Sequence, residues 1–130
     1  MLHSTVVLVP RHRAFVLVMV LVGLLLAGCG GKSGGTGPDG NTPGQNEIWM
    51  QNMTFVPNAK TISPGTTITW VNKDSFNHTV VSGTPGNPDG KFASSALGPN
   101  GTFPHTFNDV GTYPFYCSIH TSMTGTITVQ

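Results

Sequence analysis

From residue 47 to the end of the chain, apolar and polar side chains alternate with a period of two, the repeat of an extended strand that buries one face. Residues 47–55 read as one extended segment with Ile48, Met50 and Phe55 as core candidates. Val56-Pro57-Asn58 breaks that segment, and a short extended stretch runs on to Ile62. Ser63-Pro64-Gly65 is a turn, because Pro presets φ and Gly accepts the positive values a tight turn demands. Residues 66–72 (TTITWVN) alternate strictly and place Ile68 and Trp70 on one side, and residues 77–82 are a further β-branched run. Residues 83–101, rich in Gly, Pro, Asn and Ser, read as a long excursion. Residues 101–108 carry Phe103 and Phe107 on one face, Asp109-Val110-Gly111 turns, and residues 112–117 return. Residues 124–130 alternate again, with Ile127 and Val129 as core candidates. Seven to eight short strands separated by turn signals, with no helical period among them, predict an all-β sandwich.

The pattern before residue 47 is of another kind. Residues 14–27 (AFVLVMVLVGLLLA) are an almost unbroken apolar run behind Arg11 and Arg13, a basic segment followed by an apolar one too short to span a bilayer comfortably. This is the make-up of a secretory signal. It ends in Leu26-Ala27-Gly28-Cys29, which resembles the lipobox of bacterial lipoproteins, where the Cys becomes the first mature residue and carries lipid on its sulfur and amino group. The plainer alternatives are an ordinary signal peptide or a retained anchor helix with Cys29 incidental; the small-small-Cys cut site directly after the apolar run favours lipidation. Residues 1–28 are accordingly expected to be a lipoprotein signal peptide. Residues 29–46 are expected to be the lipidated Cys29 and a flexible tether, since residues 30–46 hold seven Gly and two Pro in seventeen positions. Several acyl chains, at about 0.8 kcal/mol per buried methylene, hold a protein stably on a membrane. Such a tether would keep the folded part on the order of 20–25 Å away. The expectation is an exported bacterial lipoprotein, membrane-anchored, periplasmic or at the cell surface.

Residues 47–130 are then the folded unit of this 130-residue chain. Lys60, Lys73 and Lys91 against Glu47, Asp74, Asp89 and Asp109 leave it near neutral, so nothing points to nucleic acid or to a strongly charged docking partner, and a monomer is expected. So small a domain has limited core to stabilise it, and a bound metal would add to that.

The chemistry concentrates in Cys117-Ser118-Ile119-His120-Thr121-Ser122-Met123, a C-x2-H-x2-M spacing of thiolate, imidazole and thioether. Sulfur donors favour Cu(I), imidazole accepts both oxidation states, and two His with one Cys and a weak Met describe a blue-copper electron-transfer site. The loop lacks one His, for which His78 is the candidate. If Cys29 is acylated, Cys117 has no disulfide partner, and a metal would occupy an otherwise exposed liability in an oxidising compartment. Zinc is the runner-up metal, but structural zinc sites use Cys, His or carboxylate rather than thioether. Single Cys, His or Met residues in a β-domain usually pack; it is the combination that argues for ligation. His105 shares strand parity with Phe103 and Phe107, which predicts a partly buried or edge position and a structural role. Trp49, Trp70, Met50 and Met53 read as packing, and His3 and His12 leave with the signal.

Residues 47–130 resemble the cupredoxins, the small plastocyanin- and amicyanin-like members in particular. The likeness runs through Phe55-x-Pro57, Ile62-x-x-Gly65-x-x-Ile68-x-Trp70-x-Asn72-x-Asp74 and His78-Thr79-Val80. It resumes at Gly111-Thr112-Tyr113-Pro114-Phe115-Tyr116-Cys117 and continues through His120, Met123, Gly125, Ile127 and Val129. The short His-to-Met gap is nearest to amicyanin. The resemblance implies a Greek-key sandwich binding one type 1 copper ion for single-electron transfer. His78, Cys117 and His120 would be its equatorial ligands and Met123 the axial one. Many members have Asn after the first His, where it ties the two ligand loops together; Thr79 stands there in this chain, which puts that tie in question. Ser118 is placed to brace the loop.

The functional expectation is an electron carrier whose redox partners dock weakly near the solvent-facing edge of His120, on an apolar patch including Phe76, Ile119 and Leu97-Gly98-Pro99. It is not expected to be an enzyme: no acid/base pair or nucleophile with a base is evident, and Met123 fills the fourth metal position. The alternatives are a copper chaperone, store or sensor using the same ligands, and a metal-free surface sandwich acting in adhesion or assembly.

Overall fold

The computed structural model describes residues 40–130; the expected signal peptide, Cys29 and the tether up to residue 39 lie outside the described residues. Among the described residues nine strands follow one another: β1 (Glu47–Gln51), β2 (Thr54–Val56), β3 (Ala59–Ile62), β4 (Thr66–Asn72), β5 (Val81–Thr84), β6 (Asn87–Ala93), β7 (Thr102–Phe107), β8 (Gly111–Tyr116) and β9 (Thr124–Val129). They form two sheets, ordered β2-β1-β4-β7 and β3-β9-β8-β5-β6. The chain leaves the first sheet after β2, contributes β3 to the second, and returns as β4, which runs parallel to β1; β3 runs parallel to β9. This interleaving makes the all-β Greek-key sandwich expected from the sequence, with one or two more strands than the turn signals indicated.

The core lies between the sheets and follows the period-two pattern. Ile48, Met50, Ile68, Trp70, Phe107, Phe115, Ile127 and Val129 are all buried. Trp70 is its hub, with ring centroids 5.3 Å from Phe115, 5.7 Å from Phe92 and 5.9 Å from Phe103. Among the described residues its indole nitrogen finds no hydrogen-bond partner, so the ring serves the core through area and shape.

Three expectations are corrected. The segment 47–55 is a hairpin, not one strand: Asn52 and Met53 take positive φ values of 53° and 60°, and Met50 pairs with Phe55 across the turn. Both Met50 and Phe55 face the core, but they lie five positions apart, so the inward face changes parity across the turn. Met53 is accordingly exposed at the tip rather than packed. The Gly- and Pro-rich excursion contains all of β6, whose Phe92 packs on Trp70, and its Leu97 is buried and pairs with His78. Finally, within 77–82 the strand begins only at Val81, leaving His78 in a loop held by that single bridge.

Near the loop that joins β8 to β9, the two strands approach unusually closely to the rest of the molecule at Gly125. A Cβ there would run into the Phe115 ring and lie 2.8 Å from the Asn58 carbonyl oxygen. The bare backbone lets Phe115 seat against Phe55, edge to face at 4.8 Å. This packing anchors both ends of the Cys117–Met123 loop.

Candidate metal centre

Two loops build the site. The first, residues 117–123, closes on itself: the Cys117 amide donates to the Met123 carbonyl at 3.0 Å and the Met123 amide to the His120 carbonyl at 2.9 Å. The C-x2-H-x2-M spacing therefore folds its three donors into one tight turn at the end of β8. The second loop follows β4. Asn72, fully buried, donates its side-chain amide to the carbonyls of Phe76 (2.7 Å) and Leu97 (2.8 Å) and accepts the Asp74 amide at 2.9 Å. His78 then exchanges both backbone hydrogen bonds with Leu97. A buried side-chain amide with all these partners met replaces a strand ladder as the device that fixes the loop.

These loops bring together His78, Cys117 and His120, the one group of three His, Cys or carboxylate residues among the described residues whose donor atoms cluster at metal-binding spacing. Cys117 Sγ lies 3.9 Å from Nδ1 of His78 and 3.9 Å from Nδ1 of His120, and the two nitrogens are 3.1 Å apart. The point equidistant from the three atoms is about 2.1 Å from each, inside the roughly 2.0–2.3 Å at which imidazole and thiolate bind a metal of this size. His78 and Cys117 are sealed from solvent, Met123 is buried at the loop's end, and His120 is half-buried. The donors thus fit a copper ion in both chemistry and spacing.

The surrounding groups act on the protonation of two donors, Cys117 and His78. Burial alone would raise the Cys117 thiol. The amides of Thr79 and His120, each 3.4 Å from the sulfur, and the Thr79 hydroxyl at 3.6 Å outweigh it, bringing the pKa down to about 6. The thiolate is the ligand form of cysteine. His78 places its other ring nitrogen, Nε2, 2.9 Å from Asp74 Oδ2. Burial would raise the Asp74 carboxyl, but the Met53 amide, His78 and the Asn52 amide lower it overall, so it is an ionised acceptor. Nε2 therefore carries the proton, and the lone pair of Nδ1 faces the sulfur.

Thr79 answers the question its sequence position raised. Its Oγ1 accepts the Ser118 amide at 2.8 Å and lies 2.9 Å from the Ser118 hydroxyl, so the two ligand loops are tied through a hydroxyl. Ser118 braces the loop as expected. Asp74 and Thr79 stand within the motifs quoted above, but their hydrogen bonds to the ligands were not read from the sequence; the only signal was a carboxylate four residues ahead of a candidate ligand.

The remaining candidates fall outside the site. His105 sits on β7, an edge strand, half-buried among Phe92 (4.6 Å), Phe107 (4.8 Å) and Phe103 (6.5 Å), and burial lowers its pKa. Trp49 is buried, with its indole N–H on Glu47 at 2.9 Å and the Lys73 ammonium over its ring. Phe76 and Ile119 are exposed, 52% and 49%, and stand on the two ligand loops. Leu97 is inside and leaves the expected patch, because its backbone is the partner of His78.

Comparison with known proteins agrees with this geometry. The family model described as copper binding proteins, plastocyanin/azurin family, matches residues 44–130. Plastocyanin of Scenedesmus fuscus is 35% identical over 86 residues, spanning 60% of this chain and 88% of its own length. Plastocyanin B'/B'' of Nicotiana tabacum is 36% identical over 88 residues, spanning 60% and 89%. Among solved structures, a purple cupredoxin from Nitrosopumilus maritimus is 31% identical with a TM-score of 0.60, covering 65% of this chain and 98% of the other. An amicyanin variant in its Cu(I) form shares the fold at 21% identity and a TM-score of 0.58, covering 65% and 80%. A match across the whole described sandwich, over a site whose donors are those copper selects, establishes that this chain belongs to the plastocyanin/azurin family of copper-binding proteins.

Proposed function

We propose that this protein is a type 1 (blue) copper protein that carries single electrons between redox partner proteins at a bacterial membrane surface, held there by lipid on Cys29. The observation that carries the reading is the rigidity of the donor cage. His78 is fixed through Asp74 and through its backbone pairing with Leu97, and Cys117 and His120 lie in a loop closed by its own backbone and tied to Thr79. When bound, a copper ion there supplies a one-electron couple between Cu(I) and Cu(II). Donors held by a frame that cannot relax favour redox cycling over release of the metal, which is what separates a carrier from a copper chaperone or store. His120, half-buried, offers its ring edge as the route to a partner. Exposed Phe76 and Ile119 on the ligand loops suit weak apolar docking. The membrane reading is supported by the basic-apolar-small-small-Cys order of residues 11–29 and the Gly-rich tether after it.

The test is Cu(II) titration of the full-length protein, followed by visible and EPR spectra. An intense charge-transfer band with a small copper hyperfine splitting is the expected result, lost in Cys117→Ser and retained in Met123→Leu with a raised potential. A pale spectrum of ordinary tetragonal copper, or rapid loss of Cu(I) to a mild chelator, refutes the carrier reading. Acyl chains on Cys29, read by mass spectrometry of the membrane fraction, test the anchor.

A further inference from the structure

The turn between β1 and β2 is held by a residue that also holds a metal ligand. Gln51-Asn52-Met53-Thr54 is a two-residue hairpin turn whose central residues, neither of them Gly, both take the left-handed conformation. That conformation is costly for a side chain such as Met. The Asp74 carboxylate meets the turn there: Oδ1 accepts the Asn52 amide at 2.7 Å and Oδ2 accepts the Met53 amide at 3.0 Å. The same Oδ2 accepts His78 Nε2 at 2.9 Å, and the Asp74 amide is fixed in turn by Asn72 Oδ1 at 2.9 Å. One side chain, 9% exposed, therefore joins a surface turn to the ring of a ligand that is wholly buried.

We propose that Asp74 is a positioning residue that couples the Asn52–Met53 turn to His78, so that the state of the turn and the binding of copper depend on each other. This rests on the copper reading above. The argument is one of shared bonds. A carboxylate offers about four acceptor sites in fixed directions. Two of them are committed to the amides of a turn that would otherwise open, which fixes the direction left for His78 Nε2. That direction sets both the tautomer and the rotation of the ring, and hence where Nδ1 points. Groups that orient a ligating His through its second nitrogen typically change metal affinity about 10–100-fold when removed. Coupling between two equilibria is reciprocal, so metal binding must strengthen the clamp on the turn by the same factor. An anion beside the ligand also favours the higher oxidation state, so Asp74 lowers the reduction potential.

The experiment compares the full-length protein with Asp74→Asn. The amide side chain cannot accept from all three donors. To keep folding independent of the strained turn, the same change is also made in an Asn52→Gly/Met53→Gly background, where glycine removes the left-handed cost. Expected results are a loss of copper affinity of about 10–100-fold, and a potential raised by about 59 mV for each tenfold by which the loss falls on Cu(II) rather than Cu(I). In the parent protein, Cu(I) binding should slow amide exchange at Asn52 and Met53. That slowing should vanish in Asp74→Asn while core amides still respond. If Asp74→Asn lowers stability but leaves affinity and potential at parental values in both backgrounds, Asp74 is only a turn clamp and the proposal is overturned. If the parent protein itself binds no copper, the reading on which the proposal rests fails, and this one with it.

Discussion

Replacing Thr79 by Val removes a single hydroxyl while keeping a β-branched side chain in a position only 8% exposed. The oxygen accepts the Ser118 amide at 2.8 Å, lies 2.9 Å from Ser118 Oγ and 3.6 Å from the Cys117 sulfur. Two effects follow, and they differ in kind. The tie between the ligand loops is lost; a net hydrogen bond of about 0.5–1.5 kcal/mol, with part of the cost of an unmet amide added, sets the destabilisation at about 1–2 kcal/mol. Water reaches exposed Ser118, which keeps the figure below the full burial penalty. Separately, the thiolate loses its hydroxyl donor while retaining the amides of Thr79 and His120. Donors to the sulfur draw charge from it and favour the lower oxidation state, so the potential should fall. A contact as long as 3.6 Å to a charged acceptor contributes about 1 kcal/mol at most, which bounds the fall at about 40 mV for a one-electron couple. Voltammetry of the copper-loaded protein measures the second effect and urea unfolding of the metal-free protein the first. A potential that stays put or rises while stability falls would refute the claim that Thr79 acts on the sulfur.

Two further expectations concern the metal-free protein. Its Cys117 thiol should titrate near 6, against an ordinary value of 9.0. Between those values the unfolded chain holds a proton that the folded chain has released, so stability rises with pH across the window and this contribution disappears as pH falls through about 6. Ultraviolet absorbance of the thiolate and urea midpoints against pH check it, and a thiol titrating at its ordinary value counts against the donor geometry. Gly125→Ala should destabilise by about 1–3 kcal/mol through overpacking, since the new methyl meets the Phe115 ring and the Asn58 carbonyl. A Gly125→Ala protein with the parental urea midpoint would show that this approach is looser than described.

The features legible along the chain were those whose physics is local. Period two is a property of consecutive residues, and it identified the inward faces of β4, β7 and β9 correctly. The spacing Cys117-x2-His120-x2-Met123 lies within one loop, so the three donors are neighbours however the rest packs. Soft-donor chemistry then named the metal. The hairpin at Asn52–Met53 escaped notice because its turn holds neither Gly nor Pro to mark it, although the inward parity changes between Met50 and Phe55. β6 was hidden for a different reason: Gly and Pro signal turns locally, but Phe92 is drawn into a strand by the burial it gains against Trp70.

By itself, then, the sequence determined an all-β sandwich and three of the donors, with His78 singled out by the chemistry still lacking and by resemblance. Tertiary structure alone decided that His78 and Cys117, 39 residues apart, come within 3.9 Å. It also decided that Asp74 fixes the His78 tautomer, and that a Thr hydroxyl ties one ligand loop to the other. Distances of that kind depend on which strands become neighbours, and neighbours are chosen by the burial of the whole core. No short stretch of chain carries that information.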